Sequence, residues 1–128
     1  MEITRIEIPE IKLEWSNWYP WESFLIDSKN NPSGINVPSK PGVYEAKINN
    51  SESRLTIGKA SNLRMRIKQG LIKGKIPHSA GTRIRKNELV SAIEIRWAIT
   101  DRPACVEEEL HKKHIEFFHN LPKYTMRT

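Results

Sequence analysis

The chain has a single cysteine, Cys105, among its 128 residues, so it cannot form an intramolecular disulfide. Its apolar runs are only a few residues long, which excludes a transmembrane helix. The sequence does not open with a basic segment followed by an apolar stretch and a small-residue cleavage site, so we expect no secretory signal. These absences favour a reducing compartment, and we expect a cytoplasmic protein without a membrane partner.

Acidic residues are missing from one long segment. Lysine and arginine number 21 against 15 aspartates and glutamates, and the segment from Lys59 to Lys86 holds nine of these basic residues and no acid. Such a block attracts polyanions and releases their counterions. Nucleic acid is therefore the expected partner, and a solvated basic face without a ligand is the alternative. The candidate nucleic-acid-binding residues are Arg64, Lys68, Lys73, Lys75, Arg83, Arg85 and Lys86.

Residues 1–37 differ from the rest of the chain. They hold three of the four tryptophans, Trp15, Trp18 and Trp21, after an alternating apolar pattern between Ile3 and Leu13 that is typical of short strands. In a small protein large aromatic side chains usually belong to the core, so we expect this extension to pack on the body of the protein. Stacking of nucleic-acid bases on the tryptophans is the alternative.

The body, residues 38–128, follows two proline-rich and glycine-rich breakers. Its periodicity predicts strands over 43–48 and 54–57 joined as a hairpin, a helix over 61–69 ended by Gly70, and a loop over 74–81. A helix over 83–91, a strand over 92–100 and a helix from Pro103 to about residue 120 follow. This order predicts an α+β domain with a small, three-stranded, mainly antiparallel sheet flanked by helices.

Two short motifs stand at the expected hairpin and the helix after it. Gly42-Val43-Tyr44, then Thr56-Ile57-Gly58, then the segment from Lys59 to Arg66 resemble the GIY-YIG nuclease domain. The closest likeness is to the N-terminal nuclease of the bacterial excision-repair incision subunit. Residues 106–110 are similar to the apolar-Glu-x-x-Leu motif of the last helix in that family, and residues 121–124 to its closing Pro-x-Tyr-Asn. The resemblance covers about residues 40–125, so residues 38–128 are interpreted as a GIY-YIG-like nuclease domain.

The resemblance implies a metal-dependent endonuclease that hydrolyses DNA phosphodiester bonds with Mg²⁺ or Mn²⁺. It assigns the metal to Glu107, the phosphate to Arg66 and Lys59, and the attacking water to Tyr44. Lys59 could also lower the pKa of the tyrosine, and Arg66 should do the same. His78 in the basic loop is a further catalytic candidate, because its ordinary pKa suits a general base.

The residues themselves support Glu107 among three consecutive glutamates. Glu108 and Glu109 each have a lysine four residues later, Lys112 and Lys113, which is the usual helix-surface pairing. Glu107 instead borders an apolar stripe that should face the core. That stripe consists of Val106, Leu110, His114 and Phe117. A metal cluster of Glu107 with His111 and His114 is an alternative that spacing alone supports weakly.

The sequence departs from the family pattern at two positions. Thr56 stands where the second motif usually has tyrosine, and Thr125 stands where the closing motif has asparagine. A threonine hydroxyl does not ionise near neutral pH, so a catalytically impaired nucleic-acid-binding module is the alternative function. A protein-interaction domain that uses the tryptophan-rich extension is a third. RNA is the alternative substrate, and a separate DNA-binding or targeting protein is an expected partner.

Overall fold

The structure is a computed structural model that describes residues 11–125. Its strands are β1 (Tyr19–Pro20), β2 (Gly42–Ile48), β3 (Thr56–Ala60) and β4 (Ile93–Ile99). Its longer helices are a π-helix (Met65–Ile72), α1 (Ser79–Asn87) and α2 (Pro103–Phe118), and 3₁₀ turns cover Trp21–Leu25 and Val90–Ala92. The predicted α+β class is confirmed.

The sheet is antiparallel throughout, and its four strands have the order β1, β4, β2, β3. The prediction of three strands is wrong because the N-terminal extension adds β1 to the outer edge of β4, where Tyr19 lies opposite Ile95. A strand of two residues has no periodicity that a sequence could reveal. The predicted hairpin of β2 and β3 is present, and it leaves β3 at the opposite edge of the sheet.

Alternate residues of β2 face two different apolar layers, as the period of a strand requires. Tyr44 and Ala46 belong to the larger core, which also contains Trp21 and Phe24 of the extension. Further members of that core come from the π-helix, α1 and β4. They include Ile67, Leu71, Ile84, Ile93 and Ile95. On the other face, residues 43 and 98 contact residue 106 of α2.

The remaining tryptophans of the extension also contact the body. The rings of Trp15 and Trp18 lie over the guanidinium of Arg96, with centroid distances of 4.1 and 4.6 Å. That arginine pairs in turn with the buried carboxylate of Glu45 at 2.7 Å. The described part of the extension therefore packs against the larger core and also over the ion pair of Arg96 and Glu45 on the sheet.

The two helices between β3 and β4 differ from the prediction at both ends. The first covers Met65–Ile72 rather than 61–69 and so continues past Gly70, and the second covers Ser79–Asn87 rather than 83–91. At residue 70 an added Cβ would lie 3.2 Å from Cδ2 of His78. Helix α1 begins at Ser79, inside the predicted loop. Its first turn is capped by His78, whose Nδ1 accepts the N–H of Gly81 at 2.9 Å.

Three further expectations concern the chain ends and α2. The alternating residues between Ile3 and Ile8 lie outside the described residues, and Ile11 and Leu13 are not in a strand. The prediction that Phe117 faces the core is wrong, since its side chain is 76% exposed. None of the helices within residues 11–125 is long and apolar enough to cross a membrane.

Candidate active site

A cleft of about 250 Å³ lies along β3. All five side chains that were predicted as catalytic line it, although they come from five different elements. They are Tyr44 on β2, Lys59 on β3, Arg66 on the π-helix, His78 at the N-cap of α1 and Glu107 on α2. The fold therefore brings together residues that are up to 63 positions apart in the sequence.

The position of Tyr44 in the cleft depends on its neighbour across the hairpin. Tyr44 lies opposite Gly58 in the antiparallel register. A Cβ at Gly58 would lie 2.3 Å from the phenolic oxygen and 2.5 Å from Cζ, so only glycine lets the ring cross β3 at this point. The first and second sequence motifs thus meet as a tyrosine and the glycine that makes room for it.

The phenolic oxygen of Tyr44 is hydrogen-bonded to His78. The distance from Oη to Nε2 is 2.7 Å, and both side chains are buried. The other ring nitrogen of His78 accepts the backbone N–H of Gly81. A neutral imidazole with a lone pair at Nδ1 carries its proton on Nε2. His78 is therefore the donor and Tyr44 the acceptor, which leaves the hydroxyl proton of Tyr44 free to point elsewhere.

Burial sets the protonation of this pair. Burial and, to a smaller extent, the positive charges of Arg66 and Arg85 together lower the pKa of His78 to about 4, so the ring is neutral at pH 7. Burial also raises the pKa of Tyr44 to about 12. Arg66 does lower this pKa, as expected from the sequence, but desolvation outweighs it and the charge of Glu107 adds to the rise. The expectation of a lowered tyrosine pKa is wrong.

The cations of the cleft are held differently. Nη1 of Arg66 donates to the carbonyl oxygen of Pro77 at 3.1 Å, which fixes the guanidinium beside His78. Lys59 is exposed at the end of β3. Thr56, at 3% exposure, forms part of the cleft wall. No second phenol takes its place: Tyr124, the other tyrosine of the lining, donates its hydroxyl to Glu88 at 2.5 Å.

The three consecutive glutamates of α2 follow the predicted pairing in part. Glu108 and Glu109 are more than half exposed and lie 3.9 and 3.5 Å from the ammonium of Lys112. Among the described residues Lys113 forms no ion pair, so Glu109 pairs with Lys112 and not with Lys113 as predicted. The carboxylate of Glu107, within residues 11–125, has neither an ion pair nor a hydrogen bond, and it alone of the three lines the cleft.

The donor set of the cleft fits a hard divalent cation that is shared with a phosphate. Mg²⁺ is usually held by one or two carboxylates, substrate phosphate oxygens and water, and Glu107 supplies one uncommitted carboxylate. Among residues 11–125 there is no group of three or more His, Cys, Asp or Glu side chains that could hold a metal ion. Glu107 thus fits as a single protein ligand whose cation would need phosphate and water to complete its coordination.

Comparison with other proteins identifies no relative. The chain matches no protein-family model, no curated protein and no solved structure. The functional interpretation therefore depends on the geometry of this cleft and on the motifs that form it.

Both histidines of α2 contact backbone groups of the protein. His114 accepts the N–H of Arg54 at Nε2 and contacts the carbonyl oxygen of Asn120 through Nδ1 at 2.6 Å, so neither nitrogen is open to a metal. Nε2 of His111 contacts the carbonyl oxygen of Ile57 at 3.1 Å. The alternative of a metal cluster formed by Glu107, His111 and His114 is therefore wrong.

The predicted nucleic-acid-binding residues do not form one free surface. Lys73, Lys75, Arg83 and Lys86 are exposed. Arg85 instead donates to the carbonyl oxygen of residue 70 at 3.0 Å and so caps the end of the π-helix. Arg64 and Lys68 line a separate pocket against the N-terminal extension.

Sequence reasoning did not find the neighbours that shape the cleft. Ser79 and Ala80 line it, but no motif marks them, because they reach it through the packing of α1. Tyr124 also lines it, and its only sequence signal was the closing motif at residues 121–124. The Nδ1 atom of His111 is buried without a partner in the described chain. The position of His111, one helical turn after Glu107, is the one sequence feature that points to this buried nitrogen.

Proposed function

We propose that the protein is a divalent-metal-dependent endonuclease of the GIY-YIG type that hydrolyses DNA phosphodiester bonds. The observation that carries this proposal is the shared cleft with its free carboxylate, its two cationic side chains and its buried phenol. Phosphodiester hydrolysis needs neutralisation of the phosphate charge, a proton acceptor for water and help for the leaving oxygen. The side chains of the cleft can meet these needs together.

Arg66 and Lys59 are the phosphate-binding groups of this mechanism. The attacking water oxygen bonds to phosphorus while the bond to the leaving oxygen breaks, and negative charge builds up on the non-bridging oxygens. A guanidinium can donate two hydrogen bonds to such oxygens at once. A divalent cation held by Glu107 would further neutralise that charge and stabilise the leaving oxygen, which takes a proton from water as it departs.

Tyr44, as phenolate, is the proton acceptor we propose for the attacking water. His78 supports this role because its Nε2–H donates to the phenolic oxygen at 2.7 Å, and a hydrogen bond donated to the charged form stabilises it. His78 is not itself a suitable acceptor, since Nδ1 is occupied by Gly81 and Nε2 already carries the proton. With a tyrosine pKa of about 12, kcat/KM should rise steadily with pH through the neutral range.

A nucleic-acid-binding module without cleavage is the second candidate. Thr56 favours it, because a buried hydroxyl stands in the wall where the family pattern has a second phenol. The high pKa of Tyr44 also favours it, because little of the phenolate that would accept a proton is present at neutral pH. The variant Thr56→Tyr separates the two cases: it should change little in an active nuclease and restore some cleavage in an impaired one.

Cleavage assays on labelled substrates test the proposal. Single-stranded, double-stranded and branched DNA and RNA are incubated with Mg²⁺, Mn²⁺ or chelator. We expect cleavage of DNA that chelator abolishes. Glu107→Gln should lose it and keep DNA binding, whereas Glu108→Gln makes the same charge change on the same helix and should stay active, since exposed ion pairs contribute only about 0.3–0.5 kcal/mol.

Either of two results contradicts the proposal. Metal-independent binding without any cleavage by the wild-type protein supports the binding module. Equal activity of Glu107→Gln and Glu108→Gln removes Glu107 from the metal site.

Cys105 is exposed and free, which suits a reducing compartment, so we propose a cytoplasmic location. We also propose that a separate protein directs the nuclease to its target.

A further inference from the structure

A second cationic pocket lies between the N-terminal extension and the π-helix. It has a volume of about 220 Å³, and its lining shares no residue with that of the cleft. Residues 24–29 form one wall. Arg64, Lys68 and Lys73 project from the other, and we refer to this cavity as the Lys68 pocket.

Lys68 is an unusually placed lysine. It is 8% exposed, and in the part of the chain that the structure describes its ammonium has no ion pair or hydrogen bond. Its ammonium is not among the buried unpartnered nitrogens of the described chain, so the apolar stem is covered while the charge opens to the pocket. Burial lowers the pKa of Lys68, and the nearby charges of Arg64 and Lys73 lower it further. The positive charges of the pocket therefore repel one another in the folded protein.

Arg64 adds an unsatisfied donor to the same wall. Its Nε atom is buried and, among residues 11–125, has no hydrogen-bond partner, while Nη2 is held by the side chain of Asn36. A buried donor left without an acceptor is unfavourable. The guanidinium as a whole lines the pocket, so Arg64 adds a second cation with unsatisfied hydrogen-bonding capacity to this wall.

The one carboxylate of the pocket does not neutralise these cations. Asp27 accepts the N–H of Lys29 at 2.9 Å and the side-chain amide of Asn30 at 2.8 Å. It forms no ion pair with Lys68 within 4 Å, although its charge acts on that lysine. The carboxylate therefore shapes its own turn and leaves the pocket with an excess of positive charge.

The π-helix separates the Lys68 pocket from the cleft. Residues two positions apart on a helix project in directions that differ by about 160–200°. Arg66 therefore points to the cleft while Arg64 and Lys68, two positions before and after it, point to the pocket. The same short helix thus presents cations to two separate sites.

We propose that the Lys68 pocket binds a phosphate group, which accepts hydrogen bonds from the ammonium of Lys68 and the guanidinium of Arg64. The phosphate can come from the backbone of a bound nucleic acid or from a free phosphate compound. The proposal does not depend on cleavage in the cleft, because neither of the measurements below uses activity.

The first measurement is thermal unfolding in inorganic phosphate or in chloride at matched ionic strength. Above the dissociation constant, each tenfold rise in phosphate multiplies the folding equilibrium constant of the wild type by about ten, which shifts Tm by a few degrees. Lys68→Met should lose this dependence. Lys112→Met removes the same charge from the exposed face of α2 and should keep it, and any general salting effect of phosphate acts on all three proteins alike.

The stability of Lys68→Met without phosphate is the second readout. Since methionine keeps the apolar stem and removes a charge that Arg64 and Lys73 repel, we expect this variant to unfold at the same temperature as the wild type or higher. If Lys68→Met unfolds far below the wild type, Lys68→Gln replaces it in the phosphate titration. A structural lysine would be indicated if both variants are strongly destabilised and phosphate stabilises them as it does the wild type, which would overturn the proposal.

Fluorescence anisotropy with labelled duplex DNA in chelator identifies the source of the phosphate. If it is the nucleic-acid backbone, the salt slope of log K for Lys68→Met should be smaller by about 0.9 for the phosphate that is lost, with no change in Lys112→Met. An unchanged slope with selective stabilisation by inorganic phosphate identifies a free phosphate compound. Equal responses of all three proteins in both measurements would refute the pocket.

Discussion

The hydrogen bond between Tyr44 and His78 can be tested by removing a single oxygen atom. Tyr44→Phe preserves the ring in the larger core and deletes the acceptor of the Nε2–H of His78. A change of tautomer that moves the proton to Nδ1 would not restore the lost hydrogen bond, because Gly81 already donates to that atom at 2.9 Å. The variant therefore leaves one buried donor without a partner.

The expected loss has two parts. An unpaired buried donor destabilises a protein by about 1–3 kcal/mol, so chemical denaturation should show a free energy of unfolding lower by that amount. If Tyr44 accepts the proton of the attacking water, the cleavage rate should also fall by about 10² or more, which is the usual scale for removing a general base. Circular dichroism and a cleavage assay on the same preparation measure both.

Tyr19→Phe is the matched control. Tyr19 is partly buried, and its hydroxyl forms no hydrogen bond in the described part of the chain, so this variant should change neither quantity. The double variant Tyr44→Phe with His78→Leu should be less destabilised than the sum of the single variants, because it removes donor and acceptor together. Wild-type stability and activity in Tyr44→Phe would refute both the tautomer of His78 and the role of Tyr44.

Three further predictions follow from the same geometry. Gly58→Ala should displace the ring of Tyr44, since its Cβ would lie 2.3 Å from the phenolic oxygen, and should lose cleavage and about 1–3 kcal/mol of stability as overpacked sites do; unchanged activity would show that the ring has other room. Below pH 6.5 the unfolded chain binds a proton at His78 that the native state takes up only near pH 4. Stability is therefore fully present above pH 6.5 and should fall by about 3 kcal/mol as the pH approaches 4, and His78→Gln should flatten that part of a denaturation series. Replacing the exposed Lys75 and Lys86 by glutamate should weaken binding to every DNA sequence alike and reduce the salt slope; a loss confined to some sequences in anisotropy titrations would indicate base contacts instead.

Much of the fold follows from local patterns. The alternation in β2 and the turn after it predict a hairpin, and the apolar spacing after Pro103 predicts α2, because strand and helix periods are properties of the backbone. The choice of Glu107 over Glu108 also follows from helix geometry, since residues four apart share a face and Lys112 lies on the face of Glu108. These interactions are all close in sequence.

The details that differ from the expectation involve distant residues. β1 exists because two residues of the extension meet the edge of β4, 74 and 76 positions later in the chain. The hydrogen bond between Tyr44 and His78 joins residues 34 positions apart. Neither pairing has a local signal, because each requires chain segments that only the complete fold brings together.

The candidate site also has features that follow from the sequence and others that only the folded structure determines. Residue types and motif order are properties of the sequence, and they identified Tyr44, Lys59, Arg66 and Glu107 without a structure. Proton positions and charge burial depend on the three-dimensional surroundings of each group, which is why the histidine tautomer and the high tyrosine pKa required the folded chain. The Lys68 pocket belongs to this second class as well, since a lysine in a basic segment lines a pocket only where residues of the N-terminal extension form the opposite wall.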